Sequence, residues 1–216
     1  INQLLPMLTA RHDEARYPVK LNAIERAAMN NPIRAAHQHR REAAWFRRLA
    51  GGDLAGQDVL EVGCGRGVGA EVILDRLHAS RVTAFDLDES MVELARRRLH
   101  NRPVSLTVGD ACDIQQPTGS QDTVVDFGII HHVPEWQGAI AEIARVLRPG
   151  GQLLFEEVPR HMLETWAFRT FTVHPRENRF DADEFAAELA RHGLHGTARI
   201  ERYLGGMLFV GAARKS

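Results

Sequence analysis

The feature that most constrains this chain is a short strand that runs into a glycine-rich turn and then a helix. Asp58-Val59-Leu60-Glu61-Val62 is an apolar run suited to a strand. Gly63-Cys64-Gly65-Arg66-Gly67 follows, and Val68 to Leu77 then sets Val72, Ile73 and Leu77 on one helical face. A chain that passes from strand to helix in so few residues must turn sharply. Glycine supplies the positive φ that such a turn needs and lets a ligand touch the backbone. The N–H groups of the helix's first turn point to the same place.

The same alternation continues downstream. Arg81–Asp86 reads as a second strand, and Asp88 or Ser90 can cap the helix after it, which stacks Met91, Leu94, Ala95 and Leu99 on one face. Val104–Val108 is a third strand, and Thr123–Phe127, continued through Gly128-Ile129-Ile130, a fourth. A helix from about Glu135 to Leu147 is broken by Arg148-Pro149-Gly150-Gly151, and Gln152–Glu156 is a fifth strand. Asp181 and Glu184 are spaced as a capping box at the head of a helix ending at His192. Strands near His195–Tyr203 and Gly206–Ala212 close the chain as an antiparallel pair. Strands alternating with helices predict right-handed βαβ units and a parallel sheet covered on both faces. Ligands of such sheets bind outside the carboxyl ends of the strands, where the strand order reverses.

The 216 residues suit one domain with a modest addition, and no apolar run is long enough to span a bilayer. Two cysteines, Cys64 and Cys112, are too few for a disulfide scaffold and fit buried thiols in a reducing, cytoplasmic setting. The start of the chain lacks the pattern of a signal peptide. A net charge of -1 gives no general affinity for nucleic acid. The charge is uneven, with nine Lys/Arg against four Asp/Glu in residues 1–50. That excess suits either an anionic ligand or a solvated helix face.

Two readings of the glycine loop compete. Gly65-x-Gly67-x-x-Ala70 matches the dinucleotide fingerprint and points to a nicotinamide enzyme. Glu61-x-Gly63-x-Gly65-x-Gly67 instead puts a carboxylate at the strand's end, which repels a pyrophosphate and attracts an ammonium group. S-adenosylmethionine carries an amine and a sulfonium, so charge favours the methyl donor. Asp86, ending the second strand, can accept from both ribose hydroxyls and serves either reading. Asp110, ending the third, can accept from an adenine amino group or hold a turn.

Five segments then carry a resemblance. They are Val59-Leu60-Glu61-Val62-Gly63-Cys64-Gly65-Arg66-Gly67, Phe85-Asp86-Leu87-Asp88-Glu89-Ser90-Met91, Gly109-Asp110-Ala111, Ile130-His131-His132-Val133 and Arg145-Val146-Leu147-Arg148-Pro149-Gly150-Gly151. In order and interval they resemble the class I S-adenosylmethionine-dependent methyltransferases, in the small-molecule subgroup that includes the quinone methyltransferases. The resemblance covers about residues 55–156. It implies a Rossmann-like, doubly wound α/β fold with a seven-stranded sheet of order 3-2-1-4-5-7-6 and strand 7 antiparallel. It implies that Glu61, Gly63, Cys64, Gly65 and Gly67 hold the methionine moiety of S-adenosyl-L-methionine. Asp86, Leu87 and Met91 border the ribose and adenine, Asp110 and Ala111 the adenine amine, and Asp126 and Phe127 the methyl donor. Gln121 departs from the aromatic usual before the Asp122 position.

The methyl acceptor is less legible. A hydroxyl nucleophile needs a base, whereas a neutral amine needs little more than desolvation. His131, after the fourth strand, is the first candidate for that base, with Glu156 and His174 as further catalytic candidates, and a small-molecule hydroxyl is the preferred acceptor. His132 reads as packing against the next helix. Glu156 and Glu157 read as one pocket-facing and one solvent-facing residue. The His131-His132 pair resembles the metal-binding Glu-His pair of some quinone O-methyltransferases. The further acidic position of that motif is Gly128, so no metal is expected. Residues 157–180, with Trp166, Phe168, Phe171 and Phe180, read as a lid over the acceptor or a small packed helix. Residues 1–52 read as an N-terminal helical lid on the 53–216 domain, or as a homodimer contact. A cofactor-binding module without turnover has the same fold.

Overall fold

A computed structural model of the chain describes residues 32–165, 177–196, 201–203 and 206–216. Its strands are β1 (Asp58–Val62), β2 (Arg81–Asp86), β3 (Val104–Val108), β4 (Gln121–Phe127), β5 (Leu147–Glu157), β6 (Leu194–His195), β7 (Glu201–Tyr203) and β8 (Leu208–Lys215). They form one sheet in the order β3-β2-β1-β4-β5-β8-β6, with β7 also paired to β8. Strands β1 to β5 are parallel, and β8 runs antiparallel to β5, β6 and β7. With β6 and β7 taken as two pieces of one strand, this is the expected order 3-2-1-4-5-7-6 with an antiparallel last strand. The order reverses between β1 and β4, which locates the ligand crevice at the carboxyl ends of those two strands.

The helices are α1 (α-helical at Pro32–His37, a π-turn at Gln38–Glu42, α-helical again at Ala43–Ala50), α2 (Val68–Asp75), α3 (Glu89–Arg98), α4 (Trp136–Val146), α5 (Arg160–Leu163) and α6 (Ala182–Arg191). Their ends follow local chemistry. Gly51, at φ 78°, closes α1. Asp88 rather than Ser90 caps α3, accepting the Ser90 N–H at 2.9 Å. At α6, Asp181 accepts the Glu184 N–H at 3.2 Å while Glu184 accepts the Asp181 N–H at 3.0 Å, a complete capping box. Among the described residues, no helix is long and apolar enough to cross a membrane.

Three boundaries differ from the sequence reading. β4 does not continue through Ile130. It ends at Phe127, Gly128 takes φ 80°, and Ile130–His132 form a 3-10 turn. The cause is Asp126, whose Oδ1 accepts the Ile129 N–H at 2.9 Å and pulls the chain round. The Arg148–Gly151 segment ends α4 as expected, but it belongs to β5. Leu147 already pairs with Gln121, and the register slips before Thr123 meets Gln152. Strand six is two short pieces, with residues 197–200 outside those described.

The sheet separates two apolar layers. On one face Leu60, Val124, Leu153 and Phe155 pack under α4 and α6. On the other, Val59, Val125 and Leu154 pack under α1, α2 and α3. Phe46 of α1 is fully buried in that second layer, with its ring 5.1 Å from Phe127, so the described half of the N-terminal segment is part of the core. Residues 1–31 and 166–176, hence most of the expected N-terminal lid and part of the 157–180 lid, lie outside the described residues. Gln121 is buried and its Nε2 donates to Gln116 Oε1 and Ser120 Oγ, which satisfies the polar group where an aromatic was expected.

Phe185 of α6 stands at the centre of an aromatic group, with ring centroids 5.0 Å from Phe155, 5.0 Å from Phe180 and 5.6 Å from Phe209. Truncating it opens a cavity that rigid sheet neighbours cannot fill. Phe185→Ala is expected to cost about 3–5 kcal/mol, read as a lowered urea midpoint at unchanged slope.

Candidate active site

The candidate residues lie at or just beyond the carboxyl ends of β1 to β5, where a sheet of this kind binds its ligand. Gly63, Gly65 and Gly67 all take positive φ, at 70°, 49° and 86°. They do different work. A Cβ on Gly67 would meet Leu99 Cδ1 at 2.8 Å and Ala95, so its hydrogen lets the loop lie flat on α3. A Cβ on Gly65 would meet nothing within 4 Å, so this glycine borders open space. Cys64 is buried beside it, with its N–H on the Phe85 carbonyl at 2.8 Å and its thiol on Gly65 O at 3.6 Å. Burial and the Glu61 and Asp86 carboxylates push that thiol's pKa up, so it is no nucleophile.

Glu61 is the unusual group. It is 1% exposed, and its carboxyl lies so close to Gly69 that a Cβ there would stand 1.8 Å from Oε1. It accepts the Ala70 N–H at the start of α2, while Oε2 has no hydrogen-bond partner. Burial, together with the Asp86 and Asp126 charges, pushes its pKa up to about 8. A buried carboxylate oxygen with an open valence is the complement of a bound ammonium group.

Asp86 holds the loop itself. Oδ2 accepts the Gly65 N–H at 2.8 Å and Oδ1 the Asp88 N–H at 2.9 Å. Burial raises its pKa despite these bonds. Leu87 next to it is 51% exposed, an apolar platform at the cleft's edge, whereas Met91 is buried. Asp110 Oδ1 accepts the Cys112 N–H at 2.8 Å, and Ala111 is buried behind it. That turn is latched from below by a residue the sequence reading did not single out as functional. Arg145 donates to the Ile114 and Gln116 carbonyls at 2.7 and 2.9 Å while paired with Glu142 at 2.7 and 2.8 Å. Phe127 packs against Gly69 and Phe46, and Asp126 is wholly buried.

The acceptor side is rearranged relative to expectation. His131 does not stand at an open mouth but is 9% exposed. Its Nδ1 lies 2.5 Å from Glu157 Oε2, and its ring is 4.2 Å from that of His132. Glu156 and Glu157 are both buried, so neither is the solvent-facing member of a pair. Alternation along β5 puts Glu157 on the face of Phe155, with His131, and Glu156 on the face of Leu154. The structure therefore brings His131 together with Glu157. His174 lies outside the described residues. Nothing in local spacing distinguishes two adjacent glutamates at a strand's end. The signal lay in strand parity, counted from the apolar Leu153 and Phe155.

Comparison with known proteins fits this geometry. Residues 60–155 match the family described as a methyltransferase domain. A fatty-acid O-methyltransferase of Mycolicibacterium smegmatis is 35% identical over 115 residues, covering 53% of this chain and 42% of that protein. A second protein of that organism, named for S-adenosylmethionine-dependent methyl transfer, is 41% identical over 115 residues, covering 53% and 43%. The match thus spans less than half the length of these curated relatives. A methyltransferase structure from Aquifex aeolicus superposes with a TM-score of 0.70 at 19% identity, covering 91% of this chain and 100% of that one.

Glu61 also governs stability. Its folded pKa is raised, so the folded state holds this proton more tightly than the unfolded chain. Stability is therefore lost as pH rises from about 4.5 to about 8. Glu61→Gln, which has no charge to bury, is expected to raise the melting temperature of the ligand-free protein at pH 9. It should have little effect at pH 5. Equal shifts at both pH values in calorimetry would contradict this assignment.

Proposed function

We propose that this chain is a class I S-adenosylmethionine-dependent methyltransferase that transfers a methyl group from S-adenosyl-L-methionine to the hydroxyl or carboxyl oxygen of a small molecule, with His131 as the base for a hydroxyl. The observation that carries the reading is the buried carboxylate of Glu61 with an unpartnered oxygen beside the glycine loop. Its charge suits an amino-acid ammonium and opposes a pyrophosphate, which favours the methyl donor over a dinucleotide. Glu61 and the backbone of Gly63 to Gly67 would hold the methionine end, Asp86 the ribose hydroxyls, Leu87 a face of the adenine and Asp110 its amino group. Bound S-adenosylmethionine supplies a methyl group already activated on a sulfonium, so positioning and charge are what this chain must add.

His131 meets the geometric requirement of a supported base. Its Nδ1 lies 2.5 Å from Glu157 Oε2; a proton on Nδ1, donated there, makes Nε2 the basic nitrogen, and the carboxylate stabilises the imidazolium after proton uptake. Glu157 is held in turn by the N–H groups of Ile130 at 2.7 Å and Val158 at 3.3 Å. A lipid-like acceptor is suggested by the fatty-acid O-methyltransferase relative. A carboxylate acceptor is already ionised at neutral pH and needs no base, so the two oxygen acceptors make opposite demands on His131.

Calorimetry with S-adenosylhomocysteine tests the donor side. Wild type is expected to bind and to release protons as Glu61 ionises, with affinity rising as pH approaches about 8. Glu61→Ala and Asp86→Ala should lose binding at least tenfold, and wild-type affinity in both would end the reading. Turnover to S-adenosylhomocysteine with a panel of long-chain alcohols, phenols and fatty acids tests the acceptor side. His131→Ala should lower kcat/KM for a hydroxyl acceptor by roughly 10²–10⁴ while leaving S-adenosylhomocysteine affinity intact. A fatty acid as the sole acceptor, with His131→Ala fully active, would remove the base.

A further inference from the structure

Asp126 and Glu157 lie on neighbouring central strands and on one face of the sheet. Asp126 stands opposite Phe155 in the β4–β5 register, and Glu157 follows two residues later. Neither is exposed to solvent, and their side chains are hydrogen-bonded to each other. Two carboxylates have no proton with which to bond, so one of the pair is a carboxylic acid. The surrounding donors say which. Glu157 accepts the backbone N–H of Ile130 at 2.7 Å, of His131 at 3.3 Å and of Val158 at 3.3 Å. Asp126 accepts the Ile129 N–H on Oδ1 at 2.9 Å and a bond from Gly128, and its Oδ2 receives no N–H. Donors favour ionised Glu157, and the neighbouring charge disfavours an ionised Asp126.

We infer that Asp126 is a positioning residue: it keeps a proton, donates it in a hydrogen bond to ionised Glu157, and so fixes His131 as the Nδ1–H tautomer. The functional meaning of this rests on His131 as the base. Were the proton on Glu157, its O–H could donate to His131 Nδ1 and leave the ring's proton on Nε2. An acceptor hydroxyl would then meet a donor instead of a base. The proton's place within the carboxyl pair thus decides whether the imidazole can work. The other titratable groups around the pair are Glu61 from β1, Asp86 from β2 behind it, and His132 stacked on His131.

The test is a carbon-13 carboxyl titration of the full chain labelled at Asp and Glu, with nitrogen-15 spectra of the histidine rings. One Asp carboxyl is expected to keep its protonated shift at neutral pH, where an ordinary Asp is ionised. That signal should be absent from Asp126→Asn and should titrate at a lower pH in Glu157→Gln. His131 should be the Nδ1–H tautomer in wild type and in Asp126→Asn, whose amide still donates, and a mixture in Asp126→Ala. Wild-type spectra with every Asp ionised by about pH 6 would overturn the inference without any variant having to fold. An unchanged His131 tautomer in Asp126→Ala would overturn it as well. Activity is read separately. A protonated Asp126 in a protein whose His131→Ala variant turns over normally refutes the base and, with it, the catalytic meaning of the pair. An ionised Asp126 beside an inactive His131→Ala variant refutes the proton's placement alone.

Discussion

The carboxylate of Glu61, buried at the end of the central strand, sets the terms for everything around it. It has no room unless the facing residue of α2 lacks a side chain, and Gly69 meets that need. It has no compensation unless an N–H reaches it, and the first turn of α2 supplies that of Ala70. Phe127 closes the same space from β4, and Phe46 of α1 backs Phe127 at 5.1 Å. A strand end, a helix start and the helix that precedes both are therefore shaped around one charged group whose burial weakens the empty protein. Such a cost is tolerable where a cation is to be bound, because a ligand that favours the ionised state returns it as affinity.

The proposed donor half of the site is built from residues at three successive strand ends, each with its own local signal, and the proposed acceptor half from residues that meet only across strands. This difference explains what was legible in the chain. The loop glycines, Glu61, Asp86 and Asp110 fall at strand ends that periodicity alone marks, and the capping box of Asp181 and Glu184 is a local signature. The partnership of His131 with Glu157 is not local: it joins a 3-10 turn after β4 to the end of β5. The sequence reading preferred Glu156 because both glutamates sit in one apolar run, and a one-residue choice of parity selects the opposite face of the sheet. The turn itself was hidden because Gly128-Ile129-Ile130 has the composition of a strand, and only the Asp126 side chain bending back to the Ile129 N–H ends it. The end of β6 at His195 had no counterpart in the pattern either.

Charge is distributed through the cleft with unequal permission to ionise. Asp86 is tied by two backbone N–H groups, Glu61 by one, and Asp126 shares its hydrogen bonds with a neighbouring carboxyl. Four acids in so small a space cannot all be anionic without repulsion that the fold would have to absorb. Under the proposed function, the donor's positive charge and the acceptor's proton would enter this one electrostatic system from opposite ends and so couple the two halves of the site.

The position of β8 carries a consequence for how such a chain is made. This strand, at residues 208–215, lies inside the sheet between β5 and β6, with β7 also paired to it. Phe46, near the start of the described chain, needs Ala212 among its layer mates. On a ribosome the glycine loop and its helices emerge long before the strand that seals the sheet beside them. Until then β5 presents an unpaired edge and Phe155 an uncovered ring, since Gly211, over which that ring sits, has not been made. The nascent chain is thus exposed to edge-to-edge association until β8 arrives, and a chain cut before residue 208 would keep its glycine loop on a sheet that cannot close.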